Sequence, residues 1–95
     1  MIRIKTTIIY EKWFSKIKDI TARVKIDRRI ERLKMGNFGD VKSVGEGVSE
    51  LRIDYGQGYR IYFTKQGEVI VLLLCGGDKS TQEKDIKKAK EMLKC

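Results

Sequence analysis

Arg52 and Arg60 carry the clearest chemical signal in this chain. They flank Gly56-Gln57-Gly58, each on the polar side of an alternating run, so a hairpin through that turn projects both guanidiniums from one sheet surface. A planar, permanently charged fork of donors suits the oxyanion that develops when a phosphodiester is attacked. Tyr62, beside Arg60, is placed to stack on a base. The same residues also fit a plain surface pairing of the arginines with Glu50 or Asp54 across the strands.

Two further signals are cationic. Arg23, Lys25, Arg28, Arg29, Arg32 and Lys34 crowd one predicted helix, and Lys79, Lys84, Lys87, Lys88, Lys90 and Lys94 follow the last predicted strand. A polyanion suits such surfaces. Acids interleaved at Asp27, Glu31, Glu83, Asp85 and Glu91 equally allow ordinary solvated helix faces with local ion pairs. Gly76-Gly77-Asp78-Lys79-Ser80-Thr81-Gln82 joins the most apolar run to a helix start, where backbone N–H groups can hold an anion or simply form a capped turn. Neither G-x-x-x-x-G-K-[ST] nor G-x-G-x-x-G occurs.

Composition narrows the chemistry. With His 0, the commonest general base and zinc ligand is missing, and no close acidic cluster offers a metal site. Catalysis falls to Lys, Arg, Tyr, Asp, Glu, Ser or Cys. Cys75 lies in an apolar run and reads as core, and with Cys95 it forms no C-x-x-C, which fits a reducing cytoplasm. The charged start Met1-Ile2-Arg3-Ile4-Lys5 does not read as a signal peptide, and the longest apolar run, Val69–Cys75, is too short to span a bilayer. A net charge of +8 on 95 residues, without linker, repeat or low-complexity segment, describes one basic domain over residues 1–95.

The elements that must position these groups follow from periodicity. Ile2 to Ile9 reads as a strand, and apolar residues at helical spacing from Trp13 to Leu33 predict two helices, or one bent helix, over Tyr10–Met35, with Asp19 or Thr21 as a cap. Gly36-Asn37-Phe38-Gly39-Asp40 stops the helix. Short strands follow at Val41–Val44, Val48–Tyr55 and Tyr59–Phe63, joined by glycine turns, and the second of them alternates Leu51, Ile53 and Tyr55 against Glu50, Arg52 and Asp54. Val69–Cys75 has no polar side and predicts a strand covered on both faces. Ser80-Thr81-Gln82-Glu83 fits a capping box for a C-terminal helix with Ile86, Ala89 and Leu93 on its apolar stripe. The class is α+β: an N-terminal strand, two helices, an antiparallel meander of three to four strands and a C-terminal helix.

Gly36-Asn37-Phe38-Gly39-Asp40, Glu50-Leu51-Arg52, Tyr55 to Phe63 and Leu74 to Gln82 together resemble the RelE/ParE toxin superfamily, specifically its addiction-module killer-protein (HigB-like) branch. Tyr10, Trp13, Phe14 and Ala22-Arg23 strengthen the resemblance. It implies a RelE-like fold and the toxin of a type II toxin–antitoxin pair. It also implies a ribosome-dependent mRNA endoribonuclease that needs no cofactor or metal, with a cognate antitoxin, mRNA and the ribosome as partners. By position in the motifs, Arg60 matches the phosphate-stabilising Arg of that superfamily, Lys79 stands near a second basic catalytic position, and Arg52 matches the basic residues of the preceding strand. Asp78 is expected to share proton transfer or orientation with Lys79, and Tyr62, Arg23, Lys42 and Lys84 to contact RNA. The Tyr or His that many RNA-cleaving relatives carry near the C-terminus is missing, Ile86 standing near that place. The alternative implied by that departure is a ParE-like, non-enzymatic toxin that inhibits DNA gyrase.

Overall fold

Thr7 ends the first strand and starts the first helix. In the computed structural model, which describes residues 1–94, Thr7 Oγ1 accepts the Tyr10 N–H at 3.0 Å and donates to the Leu74 carbonyl at 2.5 Å. β1 is therefore Arg3–Thr6 and α1 is Ile8–Ser15, where the β-branched run predicted a strand as far as Ile9. A side-chain cap outweighs the local β preference of Ile8 and Ile9. α2, Ile20–Lys34, is capped by Asp19, whose carboxylate accepts from the N–H groups of Thr21 and Ala22.

β2 (Val41–Gly45), β3 (Val48–Ile53), β4 (Tyr59–Gln66) and β5 (Ile70–Gly77) form the antiparallel meander. β1 adds to it in parallel on the far side of β5, giving the order β1-β5-β4-β3-β2. α3, Gln82–Met92, closes the chain after a single 3₁₀ turn at Lys79–Thr81. The capping box is Asp78 with Thr81 rather than the predicted Ser80–Glu83 box, because the chain enters the helix through that extra turn.

The sheet is covered on both faces. Ile26 and Leu33 of α2 and Tyr10 of α1 pack with Leu51, Ile61, Phe63, Val71 and Leu73 on one side. Ala89 of α3 packs with Val48, Tyr62, Leu74 and Cys75 on the other. β5 thus needs apolar residues on both faces, as its sequence predicts, and the charged face of β3 lies beneath α3 rather than in open solvent. Burial also pushes the Cys75 thiol up to about 11, with the Asp85 charge adding to the effect, so it is a core residue and no nucleophile. Cys95 lies outside the described residues.

Gly76 and Gly77 let helices from opposite faces touch the end of β5. A Cβ at Gly76 would lie 2.3 Å from the Trp13 ring, and one at Gly77 would lie 1.8 Å from the Asp85 carboxylate. Either alanine substitution is expected to cost about 1–3 kcal/mol through overpacking, measured as a lower urea midpoint with an unchanged slope.

Candidate functional site

The β3–β4 register sets Arg52 directly opposite Arg60 and Glu50 directly opposite Tyr62. Alternation then turns all four side chains toward α3. Two arginines facing each other repel, so the pairing needs a countercharge. Glu50 provides it. Its Oε1 accepts Arg52 Nε at 2.9 Å, and its Oε2 accepts both the Tyr62 hydroxyl and Gln82 Nε2 at 2.9 Å. Burial alone would raise the Glu50 carboxyl, but these hydrogen bonds and the nearby Arg60 charge hold it below the usual carboxylate range. Arg60 Nε, in contrast, is buried and has no hydrogen-bond partner among the described residues. Such a donor calls for an acceptor, and none of the neighbouring side chains supplies one.

Lys79 reaches the same place through the backbone. Its N–H donates to the Gln57 carbonyl at 3.3 Å, docking the 3₁₀ turn onto the β3–β4 hairpin. Gly58, at φ 75°, is needed there: a Cβ on it would sit 3.2 Å from Lys79 Cβ. Arg52, Arg60 and Lys79 consequently line one open cleft of about 280 Å³, with Asp40 and Asp54 also on its wall. Three cations converge from three different segments.

Arg29 fixes the floor of this cleft from behind. Its guanidinium donates to the carbonyls of Arg52, Phe38 and Asp40, the last two at 3.3 Å, while the Arg52 N–H binds the Asp40 carbonyl at 3.0 Å. Replacing Arg29 with Ala takes this donor from the part-buried carbonyls of Arg52 and Phe38. The expected loss is about 1–3 kcal/mol of stability, read by thermal unfolding, and Arg29→Lys should recover only part of it because one ammonium cannot reproduce the fork.

Other predicted site residues fall elsewhere. Tyr62 is fully buried under α3 with its hydroxyl on Glu50, so its ring cannot stack on a base; its role is to hold the carboxylate. The Asp78 carboxylate accepts from the Ser80 N–H and hydroxyl, and it borders the depressions beside Trp13, not the arginine cleft. The N–H groups of Asp78, Lys79, Ser80 and Thr81 are all engaged within the protein, which leaves that turn no open anion cradle. Arg23 lies on α2, its guanidinium 5.0 Å above the Phe14 ring. Lys84 lines a separate cleft with Trp13, and Lys42 is exposed on β2 in register with Glu50, on the arginine face.

The expected pairing of Arg52 with Glu50 also exists, along one strand and buried at the carboxylate rather than across two strands at the surface. Glu50 as the hub, Gln82 as its third donor and Arg29 as the rear brace are what sequence reasoning missed. One signal was available for Glu50: a C-terminal helix with an apolar stripe must cover some sheet face, and only the charged face of β3 and β4 was left.

The architecture is that of the RelE toxin fold. The chain superposes on a chain of the intact E. coli RelBE toxin–antitoxin complex with a TM-score of 0.65 at 17% identity, covering 82% of this chain and 96% of that one. Isolated E. coli RelE gives 0.65 at 16% identity, over 93% and 98% of the two chains. Residues 12–94 match the family described as Phage derived protein Gp49-like (DUF891), and the chain belongs to that family. An uncharacterized protein of Haemophilus influenzae is 62% identical over 89 residues, which span 94% of this chain and 90% of the relative. No helix among the described residues is long and apolar enough to cross a membrane.

Proposed function

We propose that this protein is the toxin of a type II toxin–antitoxin pair, of the HigB-like branch, and that it cuts mRNA in the cytoplasm on the ribosome. The observation that carries the reading is the cleft of Arg52, Arg60 and Lys79, in which a buried Arg60 donor has no acceptor among the described residues. A phosphate oxygen would satisfy it. The solved RelE chain in the RelBE complex is itself a toxin bound to an antitoxin, and the shared fold supports the same assignment here.

The reaction suited to these residues is attack of a 2′-oxygen on the adjacent phosphorus, in line with the departing 5′-oxygen. A proton leaves the 2′-hydroxyl, one P–O bond forms as another breaks, and a proton reaches the 5′-oxygen. The products are a 2′,3′-cyclic phosphate and a 5′-hydroxyl. Arg60 and Arg52 stabilise the charge gathering on the non-bridging oxygens. The Lys79 ammonium gives a proton to the leaving 5′-oxygen, and one carboxylate of the cleft, from Asp40 or Asp54, takes the proton of the 2′-hydroxyl. The ribosome holds the strand in the extended geometry that in-line attack requires. An antitoxin with an acidic amphipathic segment would silence the protein by covering the cationic cleft.

Induction in growing cells separates this from gyrase inhibition. Pulse-labelling should show protein synthesis stopping within minutes while plasmid supercoiling stays at its starting density. Relaxed plasmid with continuing protein synthesis would assign the protein to the gyrase inhibitors instead.

A further inference from the structure

A second cleft lies between α1 and α3, at the end of β5, and the chemistry above makes no use of it. Its volume is about 520 Å³, within the range of about 300–1,000 Å³ usual for ligand pockets. Gly76 and Gly77 form part of its lining, and the half-buried Trp13 ring packs so closely on Gly76 that no side chain could stand there. Trp13 also lines the adjoining depression beside Gln57, so the indole stands between two hollows. Lys12, Lys16, Lys84 and Lys88 surround the larger one, and none of the four makes an ion pair among the described residues. The two carboxylates present are already committed, Asp78 to its cap and Asp85 to the Thr81 hydroxyl at 2.5 Å.

We infer that this cleft is a second subsite for single-stranded RNA, in which Trp13 stacks on an unpaired base and the lysines hold the flanking phosphates. An aromatic platform among uncommitted cations is how proteins grip single strands without reading their sequence. The surface is also continuous with the arginine cleft. Lys79 lines that cleft and a shallow groove over the 3₁₀ turn, and Lys84 lines this groove and the Trp13 cleft. A strand whose scissile phosphate lies at Arg60 can therefore pass over Lys79 and Lys84 and set a neighbouring nucleotide at Trp13. The inference extends the RNA-cleaving reading and rests on it for its biological use.

Trp13 is the one tryptophan of the chain, so its fluorescence reports binding beside this indole, and the lysine variants assign that binding to the larger cleft. Titrating the full chain with a short oligouridylate at low salt should quench it saturably. Lys12→Ala or Lys88→Ala, at exposed positions, should each weaken binding several-fold and lower the slope of log affinity against log salt by about 0.7, one phosphate contact on a single strand. Unchanged fluorescence, or quenching that neither lysine variant weakens, overturns the subsite. Stronger quenching by oligoglutamate at equal charge also overturns it and assigns the cleft to an acidic protein segment. The titration needs no cleavage: quenching while cellular mRNA stays intact retains the cleft and removes the nuclease, and the converse result does the reverse.

Discussion

Arg60→Ala is expected to slow cleavage of ribosome-bound mRNA by about 10²–10³, the usual consequence of deleting one oxyanion donor. The size of the effect follows from where the side chain sits. Arg60 is held in a paired strand, opposite Arg52, and lines the cleft with its buried Nε unpartnered among the described residues, so the guanidinium stands at the site before substrate arrives. Arg60→Lys keeps the charge and loses the planar fork, and its rate should fall between the two. Single-turnover cleavage on programmed ribosomes measures all three. Stability should separate from activity: because Nε makes no hydrogen bond among the described residues, Arg60→Ala should melt close to the parent while being nearly inactive. A variant that unfolds at growth temperature would mean that Arg60 is chiefly a structural cation for Glu50.

Glu50 should give the opposite pattern. It is the buried acceptor for Arg52, Tyr62 and Gln82, which come from two strands and α3. Glu50→Ala strands all three donors and leaves Arg52 and Arg60 facing each other uncompensated. We expect a loss of about 3 kcal/mol, at the low end for a broken buried pair because the Arg52 side chain keeps 33% of its exposure. Glu50→Gln preserves shape and some acceptance and should lose less.

The pH dependence has a definite sign. Glu50 is held below its ordinary range in the folded protein, so its contribution is fully present above the unfolded value of about 4.3 and disappears as pH falls through the lower native value. Urea unfolding at pH 7 and pH 3 should therefore show a smaller difference for Glu50→Gln than for the parent. An equal difference would mean that the carboxylate is not the hub of the site.

Much of this could be read from the residues themselves. The glycine turn at 56–58 and the alternation on either side of it imply that Arg52 and Arg60 share a face, and the register confirms that they are direct neighbours. Asp19 as the helix cap and β5 as a two-sided strand follow from local pattern as well. What local pattern does not carry is which face a distant helix will cover. α3 lands on the charged side of β3 and β4, which turns Tyr62 from a candidate base-stacking ring into a buried strut and Glu50 from a surface partner into a buried hub. The parallel pairing of β1 with β5 is equally non-local, joining Arg3–Thr6 to residues 70–73. Arg29 was visible only as one cation among many, since its partners are backbone carbonyls that no side-chain pattern announces.

The central claim is that the protein cuts mRNA through Arg60, and 5′-end mapping of transcripts in a translating extract tests it most directly. Purified parent protein should produce new 5′-hydroxyl ends inside coding regions, dependent on ongoing translation, and Arg60→Ala should produce almost none over the same period. Intact mRNA with the parent protein, or ends that are as abundant with Arg60→Ala, would contradict the account.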